Sequence, residues 1–384
     1  SNKKINIQAG PGVYRHFRYQ SLDAWTCLGE YVDNSLGSFL DKKTQKNLVR
    51  IGETPHLNVS ITRDKLKKTI LIKDNAGGIH DDDLERALKI GDRPKDASGL
   101  NEFGIGMKMS SFWFSRKWTI TTTAFGENFV KQITFDVDDI EARELEHVES
   151  INVGSASSDE HYTHIELEIM YPEHFPGGST LNKIRDHLSS MYRRFTKNKR
   201  LTLTFNDDLR EDYLDYIHPE ILTMSYVAEN QSPEEVWKLD VNFKHQDKEI
   251  HGWVALLEKP AGIRSGFTLL RRERVIEGQD RAWKPSSQDS SLVSFFSGNA
   301  EPTKRLFGEF DFKGFGVSSN KSKIDWGLPD DDIKQKFIEY LYYLLRKDRK
   351  TGENTRFWHQ LFNYRSVGKD AASFEDFYDK ESED

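Results

Sequence analysis

The feature that most restricts what this chain can fold into is its cadence. Short β-like runs and amphipathic helices alternate irregularly through both halves, without the regular strand–helix–strand repeat of a doubly wound parallel sheet. Residues 22–40 carry Leu22, Trp25, Leu28, Tyr31, Val32, Leu36 and Phe39 at helical spacing. Strand patterns follow at 56–62 and 69–73 around a polar turn at 63–68, and recur at 117–123, 129–135 and 163–170. Asp81, Asp82 and Asp83 open a short helix at 84–90, where they suit the N-terminal dipole better than a metal. A polar, glycine-containing loop at 91–106 leads into a helix at 107–114. Pro172, Pro176, Gly177 and Gly178 mark a domain boundary. Beyond it the pattern gives a helix at 182–196, strands near 201–205, 237–244, 249–257, 266–270 and 305–312, and a closing helix at 331–347. The fold class expected is α+β, divided into an extended arm (1–20), a first domain (21–172), a second (173–330), a helical segment (331–368) and an acidic tail (369–384).

Composition narrows the function classes. The chain has 384 residues, 30% of them charged and 12% aromatic, and a net charge of −7, which argues against a surface coated for nucleic acid but not against a local basic groove. A single cysteine, Cys27, excludes an internal disulfide framework and a structural zinc finger, and reads as a small buried residue. No apolar run approaches the roughly 20 residues that span a bilayer. No hydrophobic signal region opens the sequence, so the expected location is cytoplasmic.

Four segments of the first half carry chemistry. Glu30 and Asn34 lie four apart on the first long helix, so a carboxylate and a carboxamide share one face, which alone reads as solvated helix surface or as a pair able to poise a water and hold a cation. The apolar strand Ile70-Leu71-Ile72 ends in Asp74-Asn75-Ala76-Gly77-Gly78. In isolation this segment reads as an ordinary Asx turn; alternatively a carboxylate there suits an exocyclic amine such as adenine N6, and the glycines admit a flat ligand to the backbone. Gly99 to Lys108 feeds Gly104 and Gly106 into a helix start, whose free N–H groups suit polyphosphate, with Lys108 in the first turn. This loop lacks the Gly-Lys-Ser/Thr ending of a Walker-type loop and the strand that a dinucleotide fingerprint requires. The fourth segment is a strand beginning Tyr162-Thr163.

Order and spacing together resemble the GHKL ATPases, the superfamily of DNA gyrase B, the heat-shock-90 chaperones, sensor histidine kinases and MutL. Glu30 and Asn34 match its first motif, Asp74 and Gly78 its second, Gly104 and Gly106 its lid, and Thr163 its strand threonine. Two positions depart from the pattern: Ala76 replaces a glycine of the second motif, and Tyr162 stands where Gly usually precedes the threonine. The run Phe103 to Lys108, with Ser110-Ser111-Phe112-Trp113 after it, looks closest to the MORC (microrchidia) group and its prokaryotic relatives. In the second half the run Gly266 to Ile276, Arg305 to Phe310 and Val317 to Lys321 look like its transducer domain.

The resemblance implies a Bergerat-type α/β sandwich followed by a transducer-type α+β domain. It further implies ATP and Mg²⁺ as ligands, with Asp74 on adenine, Asn34 on the metal, and Gly104, Gly106 and Lys108 on the phosphates. Glu30 would be the general base, and Lys321, or failing it Lys323, would reach the γ-phosphate. Implied partners are a second copy in an ATP-dependent homodimer clamp, DNA in defence or genome maintenance, and an effector protein; no membrane is implied. Two other readings stay open: a nucleotide-binding scaffold without turnover, and histidine-kinase-like phosphotransfer. Against the kinase, none of the 12 histidines sits on a helical hairpin ahead of this domain. The basic run Arg193 to Arg200 reads either as a phosphate-backbone contact or as a cationic helix C-terminus, and Arg271, Arg272 and Arg274 could extend such a patch.

Overall fold

The computed structural model describes residues 12–89, 100, 106–208, 210–221, 223–224, 235–236, 238–257, 259, 261–279, 281–285, 304–318, 320–327, 332–355 and 357–358. Gly104, most of the 91–106 loop, the first part of the arm and the acidic tail lie outside the described residues. The chain forms two compact units, Ser1–Tyr216 and Ile217–Asp384.

The first unit begins with α1 (Val13–His16) and a 3-10 turn (Phe17–Tyr19). The rest of its elements, in chain order, are α2 (Ala24–Leu40), α3 (Lys42–Arg50), β1 (Leu57–Asp64), β2 (Thr69–Asp74), α4 (Asp81–Leu88), α5 (Gly106–Phe114), β3 (Ser115–Thr123), β4 (Phe129–Asp136), α6 (Val137–Ala142), β5 (Ser150–Ser155), β6 (Tyr162–Met170), α7 (Ser179–Met191), α8 (Arg193–Lys197), β7 (Leu201–Asn206) and β8 (Glu211–Tyr213). The strands form one eight-stranded sheet in the order β5-β4-β3-β6-β2-β1-β7-β8. Only β1 and β7 run parallel; every other neighbouring pair is antiparallel.

Alternation along the strands decides which side is covered. Val59, Ile61, Ile70, Ile72, Trp118, Ile120, Ile165 and Leu167 share a core with Leu28, Val32 and Leu36 of α2, Phe112 of α5 and Leu188 of α7. The alternate residues of the same strands, among them Lys73, Thr119, Thr121, His164 and Glu166, remain part-exposed or exposed. Helices therefore cover one face of a mixed sheet, the sandwich architecture expected.

Two expectations are corrected. Residues 12–20 are not extended: Tyr14 and Phe17 pack on the Phe112 ring, at 4.7 and 6.1 Å between centroids, and the Trp113 indole donates to the Gln20 carbonyl at 3.0 Å. This part of the arm lies on its own unit. The boundary expected at 172/173 is also displaced, to the end of residue 216. The Pro/Gly cluster is a tight connection within the unit, pinned where Arg63 Nε donates to the Pro176 carbonyl at 2.7 Å. Past it, β7 pairs in parallel with β1 from Leu57↔Leu201 to Thr62↔Asn206, and Ile184, Leu188, Tyr192 and Phe195 enter the first core. Local composition marked a turn; long-range pairing decided membership.

The second unit holds two short strands, β9 (Thr223–Met224) and β10 (Glu235–Val236), then β11 (Lys238–His245), β12 (Lys248–Leu256), β13 (Gly266–Arg271), β14 (Arg274–Glu277), β15 (Leu306–Lys313), the hairpin β16 (Gly316–Val317) and β17 (Ile324–Asp325), and α9 (Ile333–Leu345). Its main sheet has the order β11-β12-β15-β13-β14, with β13 and β15 parallel. Phe337, Leu341 and Leu345 of α9 share a core with Phe243, Phe310 and Phe312. This unit is α+β as well.

Candidate functional site: where helix α2 meets the end of strand β2

Helix α2 presents Glu30 and Asn34 one turn apart, as their spacing requires. Glu30 is buried and Asn34 half-buried. The next residue, Ser35, donates its hydroxyl to Asp74 Oδ2 at 2.7 Å, tying the helix to the last residue of β2. That one bond brings the first two sequence motifs together. Asp74 also pairs in register with Thr163 of β6, so the strand threonine stands beside it. Thr163 Oγ1 lies 3.4 Å from Thr122 Oγ1 on the covered side of the sheet. The Tyr162 ring instead stacks on His164 at 4.4 Å, so the bulky residue before the threonine does not fill the threonine's side.

After Asp74 the chain turns through Asn75–Gly78, and several polar groups of the turn are engaged. Asp74 Oδ1 accepts from Ala76 N at 2.9 Å, and Asn75 Oδ1 accepts from Asn58 N at 2.7 Å. Gly77 N donates to Ser38 Oγ and Ile79 N to Thr122 Oγ1, at 3.1 and 3.0 Å. The buried His161 ring bonds the Ala76 carbonyl at 2.7 Å; that acceptor requires the proton on Nδ1. Gly78 has φ +70°, and a Cβ there would collide with the Thr123 carbonyl, so this position admits glycine alone without strain. Ala76 occupies the departed glycine position fully buried and without positive φ, which explains why the replacement is tolerated. Beneath the loop, buried Glu127 accepts from Asp81 N at 2.8 Å and Ala124 N at 3.1 Å and is neutralised by buried Lys131.

Burial pushes the Asp74 carboxyl up to about 6, partly offset by the hydrogen bonds from Ser35 and the Ala76 backbone. At neutral pH it is an ionised acceptor at the closed end of a glycine-lined turn. The other end is built by α5. Gly106, its first residue, lies so close to Glu30 that a Cβ would strike the carboxylate, and the helix N-terminus there favours the negative charge. Lys108, in the first turn, is buried and donates its ammonium to the Lys89 carbonyl at 2.6 Å, tying α5 to the end of α4.

Lys321 lies in the second unit, in the β16–β17 hairpin, with φ +50° and a largely buried side chain. Its amide donates to the Ser318 carbonyl at 2.8 Å, and Arg274 Nη1 donates to its carbonyl at 3.3 Å. Arg274 is thus buried scaffolding for this hairpin rather than surface charge. Arg193 is similarly buried, its guanidinium over the Tyr216 ring at 4.5 Å, so the basic run is in part internal. Among the described residues, no three His, Cys, Asp or Glu side chains gather as a metal cage, and Asp81–Asp83 form the acidic first turn of α4. Also among the described residues, no helix is long and apolar enough to cross a membrane.

The sequence reading missed Ser35, Ser38, Thr122, Glu127 and His161. Ser38 had a signal, four residues beyond Asn34 on the same helix face. His161 and Glu127 had none, because their partners are 85 and 46 residues away.

Part of the chain is 30% identical over 98 residues to the chaperone protein HtpG of Helicobacter hepaticus, an alignment covering 22% of this chain and 15% of that protein. The chain thus spans only a small part of that relative's length. Residues 22–163 match the family model described as histidine kinase-, DNA gyrase B-, and HSP90-like ATPase. That segment holds Glu30, Asn34, Asp74, Gly78, Gly106, Lys108 and Thr163, and the first unit of this chain carries a GHKL-family ATPase domain.

Proposed function

We propose that the chain is a Mg²⁺-dependent ATPase of the MORC-like type that hydrolyses ATP slowly and uses the nucleotide to close a homodimer. The observation carrying this reading is the Ser35–Asp74 bond, which unites the Glu30–Asn34 face of α2 with the glycine turn of β2 in a single site. Asp74 accepts from the adenine amino group, with Thr163 beside it, and Gly78 lets the base approach the backbone. Glu30 orients the attacking water and takes its proton, a role that fits a buried carboxylate at a helix N-terminus. Gly106, with Gly104 before it, offers backbone N–H groups to the phosphates, and Lys108 adds charge once released from the Lys89 carbonyl.

A half-buried carboxamide is a hard oxygen donor that fits Mg²⁺, which takes few protein ligands when phosphates and water supply the rest. Asn34 would therefore hold the metal, whose chemistry is to neutralise the phosphates. Lys321 is the residue proposed to stabilise charge on the γ-phosphate, with Lys323 the alternative. DNA and an effector protein are the proposed partners of the closed state.

The test is steady-state ATP hydrolysis by the intact chain with Mg²⁺, beside Lys321→Ala and Lys323→Ala, with mass measured in the presence of a non-hydrolysable analogue. Slow turnover abolished only in Lys321→Ala, with analogue-dependent doubling of mass, supports the full reading. Binding without turnover or dimerisation, even with DNA added, replaces it with the nucleotide-binding scaffold.

A further inference from the structure

We propose that Tyr192 is a positioning residue for Glu30 and Asn34, a role that rests on the ATPase reading above. Tyr192 is fully buried and is the one non-helical residue between α7 and α8, with φ −108° and ψ 11°. That break aims its phenol at α2. The hydroxyl lies 2.7 Å from the Gly29 carbonyl and 2.8 Å from Asp33 Oδ1, its one proton shared between the two acceptors. Gly29 immediately precedes Glu30, and Asp33 immediately precedes Asn34, so one phenol spans the helical turn that carries both functional side chains. Asp33 is itself fully buried, which makes the bond to its carboxylate a fixed feature of the interior.

The opposite flank of the same turn is held differently. Tyr31 Oη and Ser111 Oγ are 2.9 Å apart, and Ser111 also bonds the Met107 carbonyl, so this contact leads to the helix that starts at Gly106. The turn is therefore gripped from α5 on one side and from the α7–α8 junction on the other. Tyr192 lies outside the matched segment 22–163, in residues that join the first unit only through long-range packing. The Asp74 end of the site makes none of its described bonds to Tyr192; Asp74, Ala76, Gly77 and Ile79 are held by Ser35, His161, Ser38 and Thr122.

Loss of the hydroxyl should thus loosen the register of Glu30 and Asn34 while leaving base recognition intact. A misplacement of about 1 Å at reacting groups can lower a rate about 100-fold. In Tyr192→Phe, kcat for ATP is expected to fall about 10-fold or more, with the ATP Kd within about 2-fold of the unsubstituted chain. 4-Aminophenylalanine at position 192, which restores a donor in the same ring position, is expected to recover turnover. Tyr213→Phe, on an exposed ring of β8, serves as the control. An unchanged kcat in Tyr192→Phe, a parallel loss of affinity and turnover, or failure of the amino analogue to rescue a folded protein overturns the assignment. If the unsubstituted chain binds ATP without hydrolysing it, the ATPase reading itself fails, and Tyr192's role falls with it; that failure appears in the parent chain, not the variant.

Discussion

The two ends of the site are built by different means. At the Asp74 end the turn after β2 is laced to its surroundings by short bonds to Asp74, Ser38, Thr122, Asn58 and His161, and Gly78 in it is sterically obligatory. At the Glu30 end the groups sit on helices, and their placement comes from helix contacting helix: Tyr31 with Ser111, Tyr192 with Gly29 and Asp33, Lys108 with the end of α4. A turn fixed to a sheet holds one shape, whereas helices meeting through a few side chains can shift as a body when a ligand arrives. On the reading proposed above, recognition belongs to the end fixed to the sheet and chemistry to the end carried by helices.

Substitutions that affect one end only would sharpen this contrast. Glu30→Gln should give the largest effect, lowering turnover by about 10²–10⁴-fold while ATP still binds; equilibrium binding beside single-turnover hydrolysis separates the two. Loss of binding with turnover in this variant would erase the division between the ends. Gly78→Ala should cost about 2–4 kcal/mol in urea unfolding, because it combines a left-handed backbone with a Cβ driven into the Thr123 carbonyl. A stability change near zero would mean the Asp74 end yields as readily as the helices. Asp74→Asn, which turns one of two acceptor oxygens into a donor, should, on the adenine role proposed for it, weaken ATP binding by about 10–100-fold, measured by calorimetry.

The same carboxylate gives a pH signature. Its folded pKa of about 6 lies above that of an exposed aspartate, so the folded state takes up a proton first. Stability tied to this group therefore rises as pH falls from about 6 toward 4, while ATP affinity declines over that range because a protonated carboxyl is a poorer acceptor. Opposite slopes for stability and affinity, seen in parallel unfolding and binding series, are expected in the unsubstituted chain and absent from Asp74→Asn. The smallest effect is His161→Phe, which keeps the stack on Phe125 but deprives the Ala76 carbonyl of its donor. About 1 kcal/mol of stability should be lost, with turnover nearly unchanged.

The legibility of the two ends in the sequence follows the same division. Asp74 through Gly78 could be read as a turn closing a strand, and in isolation as an ordinary Asx turn; only its order and spacing with the other motifs pointed to a nucleotide. Glu30 and Asn34 were legible because helical periodicity puts them on one face whatever the rest of the protein does. Tyr192, His161 and Glu127 were not, because each acts on a partner brought near only by the finished fold. The same cause lies behind the misplaced boundary. Proline and glycine at 172–178 mark where the chain turns, but the parallel pairing of β7 with β1 is written only in which strand it returns to. Helix α3 escaped notice for a related reason: its nine residues expose most of their surface, with Thr44 and Leu48 alone fully inside.

That returning strand has a practical consequence for anyone dividing the protein. A fragment cut at the Pro/Gly cluster that begins at Pro172 would strip β7 and β8 from the sheet and leave the backbone of β1 as a raw edge, in register for six residues with nothing. The native margin there, β8, is three residues long and carries Glu211 and Asp212, charges that discourage strand addition. The newly bared margin would instead present Leu57, Val59 and Ile61 between polar neighbours, an apolar alternating strand inviting intermolecular pairing. The catalytic-looking minimum is thus expected to precipitate, while the piece extended to residue 216 stays in solution.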